Sequence, residues 1–301
     1  MDRLEAMSTL VAAVDGGSLS AASRALATPL ATVSRRVSDL EAHLGAQLVV
    51  RTSRRLALTE VGQIYVACCR RILEQVDEAE RSASGEYQAP RGHLTITAPV
   101  VFGRLHVEPV VLDFLNAYPD IDVRLSLADH VLNLVDDHVD VAVRVGALPD
   151  SRLKALRLGA ICWVVCAAPD YLERRGAPQT PAELADHACI AFEGLYSSSA
   201  WSFGGEATPA IVPIRPRLAV NTAEAALDAA IAGAGVTRVL SYQVAKALKS
   251  GALIPVLQAF SPDPLPVSLV YAPLPQLPLK LRAFLDFAAP RLKAALADAA
   301  L

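Results

Sequence analysis

Apolar side chains recur every three or four residues near the N-terminus, a spacing that predicts short amphipathic helices. The first helix is predicted to stop at Gly16 and Gly17. A second is predicted over residues 20–27, where the buried positions are Ala21, Ala22, Ala25 and Leu26. A third, over residues 31–43, has its buried positions at Val33, Val37, Leu40 and Leu44. Because Thr28 and Pro29 force a tight turn between the second and third helices, the pattern predicts a helix-turn-helix.

The exposed face of the third helix carries hydroxyl and guanidinium groups, which are the groups that contact bases in a DNA major groove. After Gly45 the segment LVVRTSRRLALT predicts a β-hairpin with Arg54 and Arg55 at its tip. Such a hairpin beside a helix-turn-helix is a wing, whose arginines enter the minor groove or contact phosphate. The candidate DNA-binding residues are Thr32, Ser34, Arg35, Arg36, Arg51, Thr52, Arg54 and Arg55.

Residues 59–84 show the pattern of one long amphipathic helix that begins at a capping Thr59. An isolated helix cannot bury its own apolar stripe, so the pattern predicts pairing with the same helix of a second subunit. The candidate dimerisation residues are Val61, Tyr65, Cys68, Ile72 and Val76. The segment SASGEYQAPRG that follows is predicted to be a linker.

From Leu94 onward, strand-like and helix-like stretches alternate, which is typical of a parallel sheet covered by helices. The predicted strands include LTITA, DVRLSLA, VDVAVRVG, the buried run AICWVVCA, CIAFEG, GVTRVL, ALIPVL and VSLVYA. Helices are predicted up to Tyr118, through Leu134, from about Thr222, around Val244 and over LKLRAFLDFAAPRL. This half of the chain is therefore predicted to be an α/β domain.

The net charge of the chain is small, but its arginines are clustered. The 301 residues carry a net charge of −3, which excludes a uniformly cationic surface, so DNA contact requires clustered arginines. A solvated charged face is the alternative explanation for the cluster between Arg35 and Arg55. Five cysteines without CxxC spacing, no signal peptide and no apolar run long enough for a bilayer favour a cytoplasmic protein.

An enzyme is the competing class, since α/β domains often carry active sites. The sequence has no HExxH, GxSxG, P-loop or complete GxGxxG motif, and we expect no catalytic residue and no cofactor. His130 and His138 suit solvated helix ends better than a metal site. Cys162 and Cys166 are predicted to share a buried strand, as small core residues or as a redox pair. A ligand-binding module without regulation would leave the first 59 residues without a role.

The segments GGSLSAASRAL and TVSRRVSDLEAHLGAQLVVRTSRRLALTEVGQ resemble, in order and spacing, the winged helix-turn-helix of LysR-type transcriptional regulators. The rest resembles the effector domain of that family, through GHLTITAPVVFGRLHVEPVVLDFLNAYPDIDV, VDVAVRVGALPDS, CAAPDYL, GAGVTRVL and SGALIPVL. The family often carries Gln followed by Ser or Pro where this chain has Leu30 and Ala31, which moves the expected base contacts to Ser34, Arg35 and Arg36.

The resemblance implies a winged helix-turn-helix, a long linker helix and an α/β two-lobed periplasmic-binding-protein-like effector domain. We expect the DNA-binding domain at 1–59, the dimerisation helix and hinge at 60–90, and the effector domain at 91–301. One lobe spans about 91–162 and 268–301, and the other about 163–267. The expected partners are double-stranded promoter DNA, a second copy in a dimer or tetramer, a small effector, and RNA polymerase as a further candidate. No membrane partner is expected.

Ligands in two-lobed α/β domains bind beyond the carboxyl ends of strands, where helices begin. Polar groups at three such strand ends, with nearby aromatic side chains, suit a small polar or anionic effector. The candidate effector-binding residues are Thr97, Ala98, Pro99, Phe102, Ser126, Asp129, Phe192, Trp201, Asn221 and Thr222. For Thr97 and Thr222, helix capping and ligand contact are both open.

Overall fold

A computed structural model of the chain describes residues 1–51, 56–83, 89–130, 134, 137–149, 152–193, 200–205, 210–274 and 276–298. The chain forms two compact units, Met1–Gln88 and Ala89–Leu301.

The N-terminal unit is mainly helical. In chain order its elements are α1 (Arg3–Asp15), α2 (Leu19–Ala25), α3 (Leu30–Leu44), β1 (Val49–Arg51), β2 (Leu56–Leu58) and α4 (Glu60–Ala83). Asp2 and Ser18 cap α1 and α2 by accepting backbone N–H bonds, and the Thr59 hydroxyl accepts from the Gly62 N–H at 2.9 Å at the start of α4. Gly45 ends α3 in the left-handed conformation that favours glycine. The predicted helix-turn-helix, hairpin strands and long helix are thus confirmed.

The core of this unit joins α1, α3, the hairpin and α4. Its buried side chains are Ala6, Leu10, Val37, Leu40, Leu48, Val49 and Val66. Two expected core positions are wrong, because Ala25 and Leu44 are exposed. Each is the last residue of its helix, where the helical phase still points inward but the core has ended.

The long helix α4 is not isolated, contrary to the expectation from its pattern. Its buried side chains Val66 and Cys69 lie on the side that packs against the rest of the unit, and Arg70 pairs with Asp15 of α1. Val61 and Ile72 of the predicted stripe lie about 60° to 80° around the helix axis from Cys69, and Tyr65 of the same stripe packs against the core of the unit.

The C-terminal unit alternates strands and helices. Its strands are β3 (Gly92–Ala98), β4 (Ile121–Leu127), β5 (Val141–Val145), β6 (Lys154–Ile161), β7 (Trp163–Ala167), β8 (Cys189–Phe192), β9 (Ala200–Phe203), β10 (Ala210–Pro213), β11 (Pro216–Val220), β12 (Val236–Leu240), β13 (Ile254–Val256) and β14 (Leu265–Tyr271). Its helices are α5 (Val100–Phe102), which continues through a π-helical turn (Gly103–Val107) into α6 (Glu108–Ala117), then α7 (Pro169–Arg175), α8 (Ala223–Ile231), α9 (Ser241–Lys249) and α10 (Leu279–Asp298), with short 3₁₀ turns at Pro181–Asp186 and Gln258–Phe260.

Two five-stranded sheets divide this unit into two lobes. The first lobe has the strand order β4-β3-β5-β14-β6, and the second has β11-β8-β12-β7-β13. Each sheet lies in its own hydrophobic core. The chain passes from the first sheet to the second at Cys162 and returns between β13 and β14.

The sheets are mixed, which corrects the prediction of a parallel sheet. Strands β3, β4 and β5 pair in parallel, as do β8, β11 and β12, whereas β14 and β7 run antiparallel to their neighbours. The run AICWVVCA is likewise not one strand. It divides at Cys162, whose N–H donates to the Ser241 hydroxyl, so Cys162 and Cys166 do not share a strand. Most of the helix predicted through Leu134 lies outside the described residues.

Candidate DNA-binding surface and effector cavity

Helix α3 carries the candidate base-contacting residues on its outer side. Arg35 is exposed, whereas Thr32, Ser34 and Arg36 are half-buried. The Arg36 Nη2 lies 2.6 Å from the Glu5 Oε2 of α1 and forms an ion pair with it. Arg35 forms no ion pair within the part of the chain that the structure describes. Of the two adjacent arginines, Arg35 is therefore the one available to a DNA base without breaking a contact.

The hairpin that follows α3 pairs Val49 with Leu58 and Arg51 with Leu56 in an antiparallel register. Of the expected wing residues, only the backbone of Arg51 is described; Thr52, Arg54 and Arg55 lie outside the described residues. An additional basic residue, Arg24, is exposed in the last turn of α2, just before the turn that leads into α3. The sequence argument missed it because it lies outside the arginine cluster.

The predicted dimerisation residues of α4 form an apolar surface beside the face that packs on the core, with Tyr65 at the border between them. Val61 is 52% exposed, Ile64 is 61% exposed and Ile72 is 39% exposed, while Tyr65, Cys68 and Val76 are half-buried. Helical periodicity places Val61, Tyr65, Cys68, Ile72 and Val76 within one narrow sector of the helix. A surface of this composition is unusual for a face that stays in water.

A cavity of about 80 Å³ lies between the two lobes of the C-terminal unit. Its lining is mostly apolar with a few polar groups, as is typical of small-molecule sites. The lining residues are Pro99, Val100, Val101, Asp129, Val145, Phe192, Asn221, Thr222, Ala223, Glu224, Leu240, Tyr242 and Gln243. The first lobe supplies the start of α5, and the second supplies the starts of α8 and α9.

The helix ends at the cavity are already partly capped by side chains. The Thr222 hydroxyl accepts from the Ala225 N–H at 3.3 Å, and the Asp129 Oδ1 accepts from the Val100 N–H at 3.0 Å. At α9 the Gln243 Oε1 accepts from the Leu240 N–H at 2.8 Å. Thr222 thus both caps a helix and lines the cavity.

The charges around the cavity are acidic. Asp129 and Glu224 are in the lining, and none of the lining residues that the structure describes is basic. Arg104 of the first lobe reaches Glu224 of the second at 3.0 Å, in an ion pair that joins the lobes at the surface. An aromatic cluster of Phe102, His106 and Tyr242 joins them as well, with ring centroids 4.9 to 5.8 Å apart. Burial lowers the pKa of His106, so its imidazole is neutral at pH 7.

The structure brings half of the expected effector-binding residues to the cavity. Those in the lining are Pro99, Asp129, Phe192, Asn221 and Thr222. The other five lie elsewhere. Thr97 is buried and donates its hydroxyl to the Ser126 carbonyl at 2.9 Å, so it does not cap a helix. Ala98, Phe102 and Trp201 are buried outside the lining.

Several lining residues were missed from the sequence. Leu240, Tyr242 and Gln243 follow the end of β12, where helix α9 begins. The rule that ligands bind where a strand leads into a helix would have found them. It was applied to three strand ends and not to this one.

Three buried thiols are held in the protonated form. Burial raises the pKa of Cys166 to about 12, of Cys189 to about 11 and of Cys69 to about 11, so each stays protonated at pH 7. Within the described ranges no group of three or more histidine, cysteine or acidic side chains is arranged to hold a metal ion. Nor does any described helix combine the length and apolar character needed to cross a membrane.

Comparison with known proteins matches both units to one family. The model of the bacterial regulatory helix-turn-helix protein, lysR family, matches residues 4–63, and that of the LysR substrate binding domain matches residues 87–293. An HTH-type transcriptional repressor of Pseudomonas aeruginosa is 34% identical over 289 residues, which are 95% of this chain and 91% of that protein. The HTH-type transcriptional regulator CrgA of Neisseria meningitidis is 33% identical over 285 residues, 94% of this chain and 95% of that protein.

Two solved structures support the same family assignment. The structure of CrgA, a LysR-type transcriptional regulator, has a TM-score of 0.60 at 32% identity and covers 96% of this chain and 98% of that one. The Vibrio cholerae virulence activator AphB has a TM-score of 0.58 at 27% identity and covers 95% of this chain and 98% of that one. The chain therefore belongs to the LysR family of transcriptional regulators, with a DNA-binding helix-turn-helix domain followed by an effector-binding domain.

Proposed function

We propose that this chain regulates transcription as a homodimer that recognises its operator through α3 and changes its DNA binding when a small polar molecule occupies the interlobe cavity. The observation that carries the proposal is the lining of that cavity. Both lobes contribute to it, Val100 and Asp129 from one and Thr222 and Gln243 from the other. A ligand that contacts both lobes binds more tightly when the lobes are close together. It therefore shifts the protein toward that arrangement, as a ligand-controlled switch requires.

The charges favour a neutral polar effector over an anionic one. Asp129 would face a carboxylate or phosphate in the cavity, Glu224 is already paired with Arg104, and none of the described lining residues carries a positive charge. Asn221, Thr222 and Gln243 supply amide and hydroxyl groups that orient a hydrogen-bonding ligand. The volume of about 80 Å³ suits a molecule of a few non-hydrogen atoms.

Filling the cavity tests this site. Val100 lines the cavity with an exposed side chain, and we expect Val100→Phe to keep normal operator binding but to lose the response to the effector. Leu105→Phe is the matched control, because Leu105 is an exposed apolar residue of the same helical run outside the lining. Compounds that raise the melting temperature of the wild type serve as probes, and operator affinity with and without each compound is the readout. A Val100→Phe variant that responds like the Leu105→Phe variant would place the effector elsewhere.

For DNA contact, we propose that Arg35 binds a base edge and that Thr32 and Ser34 contact bases or phosphates beside it. Arg36 is bound to Glu5, so it acts either by releasing that carboxylate or by contacting phosphate from where it lies. Arg51, Thr52, Arg54 and Arg55 remain proposed wing contacts on the basis of sequence, and the exposed Arg24 is added as a phosphate contact.

Replacing Arg35 with Ala should weaken binding to the specific operator by about 1 to 3 kcal/mol, with a much smaller loss on random DNA, because a guanidinium that bridges a guanine discriminates between bases. Fluorescence anisotropy with both duplexes at one salt concentration measures the difference. Arg24→Ala is the comparison: a phosphate contact should lower both affinities alike and reduce the salt dependence of binding. An equal loss on both duplexes for Arg35→Ala would make Arg35 a phosphate contact too.

The oligomeric part of the proposal rests on α4. Its exposed side chains Val61 and Ile72, with Tyr65, Cys68 and Val76 beside them, are proposed to meet the same residues of a second copy. Association of dimers into tetramers, contact with RNA polymerase and a cytoplasmic location rest on family membership. None of the five cysteines, all of which are described, forms a disulfide bond, which suits a reducing compartment.

A further inference from the structure

A second pocket, of about 300 Å³, lies on the second lobe and shares no lining residue with the effector cavity. It is bordered by the end of α7, by β11 and by the turn that follows α8. Three arginines point to its chemistry: Arg174 and Arg175 from α7 and Arg217 from β11.

Among the described residues, no carboxylate lines this pocket beside the arginines. None of the three forms an ion pair among the residues that the structure describes. The three arginines are exposed, so water and salt screen their mutual repulsion, but a multiply charged anion in the concavity would be attracted to all three at once. Favourable contact with the carbonyl end of α7 accounts for Arg174 and Arg175, which lie in its last turn. It does not account for Arg217, which comes from a strand of the adjoining sheet.

The backbone also leaves room for a guanidinium at this pocket. Gly233 follows α8 with a φ of +74°, and a Cβ atom at this position would lie 3.3 Å from the Arg174 Nη2. A larger residue would therefore crowd the arginine and force it to move. The Nδ1 of His187 lies 3.1 Å from the hydroxyl of the pocket residue Tyr171. Burial first and the positive charge of Arg175 second lower the pKa of His187, while the carboxylates of Glu183 and Asp186 act in the opposite direction.

We infer that this pocket binds a small molecule with several negative charges, held by bidentate contacts from Arg174, Arg175 and Arg217 to phosphate or carboxylate oxygens. Guanidinium groups match both oxyanions in geometry and keep their charge at all physiological pH values. A volume of about 300 Å³ suits a diphosphate or a tricarboxylate. The pocket is thus a second ligand site with the opposite charge preference to the interlobe cavity, whose lining is acidic.

Calorimetric titration of the full chain with pyrophosphate and, separately, with citrate at about 150 mM salt tests the inference. We expect at least one of the two anions to bind, and Arg217→Gln to weaken that binding by about tenfold or more, as for loss of a charge-assisted hydrogen bond. Arg215→Gln is the control, because it removes the same charge from an exposed position two residues away that does not line the pocket. Preference for pyrophosphate over citrate, or the reverse, identifies the oxyanion class.

Three outcomes would overturn the inference. The first is failure of both anions to bind, and the second is an equal loss in the Arg217→Gln and Arg215→Gln variants, which would indicate general charge attraction. The third is binding that is abolished by Arg35→Gln and unaffected by Arg217→Gln, which would assign the anion to the DNA-binding domain. In the first case, a change in the sedimentation of the Arg217→Gln variant would show that the pocket receives a second copy of the chain. The Val100→Phe variant should bind the anion normally, which separates this test from that of the effector cavity.

Discussion

Monomers are the expected result of replacing Ile72 with Asp. Ile72 lies in the middle of the exposed apolar sector of α4, about 60° around the helix axis from the buried Cys69 and about 120° from the buried Val66. A dimer through this sector would bury two unpaired carboxylates at the seam. Each costs several kcal/mol, so self-association should weaken about a thousandfold or more, while the fold of each unit is retained.

Sedimentation velocity at low micromolar concentration measures this effect, and circular dichroism checks that the helices persist. Gln63→Asp is the matched control, since Gln63 is exposed on the same helix and lies nine residues before Ile72, which is about 180° around the axis. The control should remain dimeric. An Ile72→Asp protein that sediments with the wild type would show that the subunits meet through another surface.

Gly62→Ala should destabilise the N-terminal unit by roughly 3 kcal/mol, at the upper end of overpacking effects. A Cβ atom on Gly62 would lie 2.0 Å from the backbone oxygen of Leu48, and a carbonyl cannot rotate away as a side chain can. Leu48 precedes β1 and its carbonyl accepts the Thr59 N–H, so the clash would separate α4 from the hairpin. Operator binding should fall together with stability, because the hairpin and α3 share one core.

Thermal denaturation followed by circular dichroism measures this destabilisation. Gln63→Ala places the same residue type at the next position, which is exposed. It should change the free energy of unfolding by less than about 0.5 kcal/mol. A Gly62→Ala variant as stable as this control would mean that α4 does not approach Leu48 so closely.

Local pattern was enough to predict the DNA-binding half of the chain. The buried positions Val33, Val37 and Leu40 follow from helical period, and Gly45 from the chemistry of helix ends. The failure at Leu44 has the same physical origin: a side chain in the last turn has the right phase, but the core does not reach it. The ion pair between Arg36 and Glu5 joins residues 31 positions apart, and no local pattern contains such information.

In the C-terminal unit, hydrophobic periodicity and the rule that ligands bind at strand ends predicted only part of the cavity lining. The rule found Asp129, Asn221 and Thr222 in the cavity lining because it depends only on where a strand stops. It failed for Thr97 because the direction of a side chain depends on register: Thr97 lies opposite Ser126 on β4 and donates its hydroxyl within the sheet. The sequence also could not show that the buried run around Cys162 divides between two lobes, since both halves are equally apolar.

Selection of bound duplexes from a random-sequence DNA library by the purified full chain tests whether the protein recognises one operator sequence as a symmetric dimer. A dimeric helix-turn-helix regulator presents two α3 helices related by a two-fold axis. We expect enrichment of one sequence made of two inverted half-sites, spaced by about one helical turn or a multiple of it. The protein should bind this sequence at least about a thousandfold more tightly than unselected DNA. Recovery of duplexes without a shared sequence, bound no better than the starting library, would contradict it.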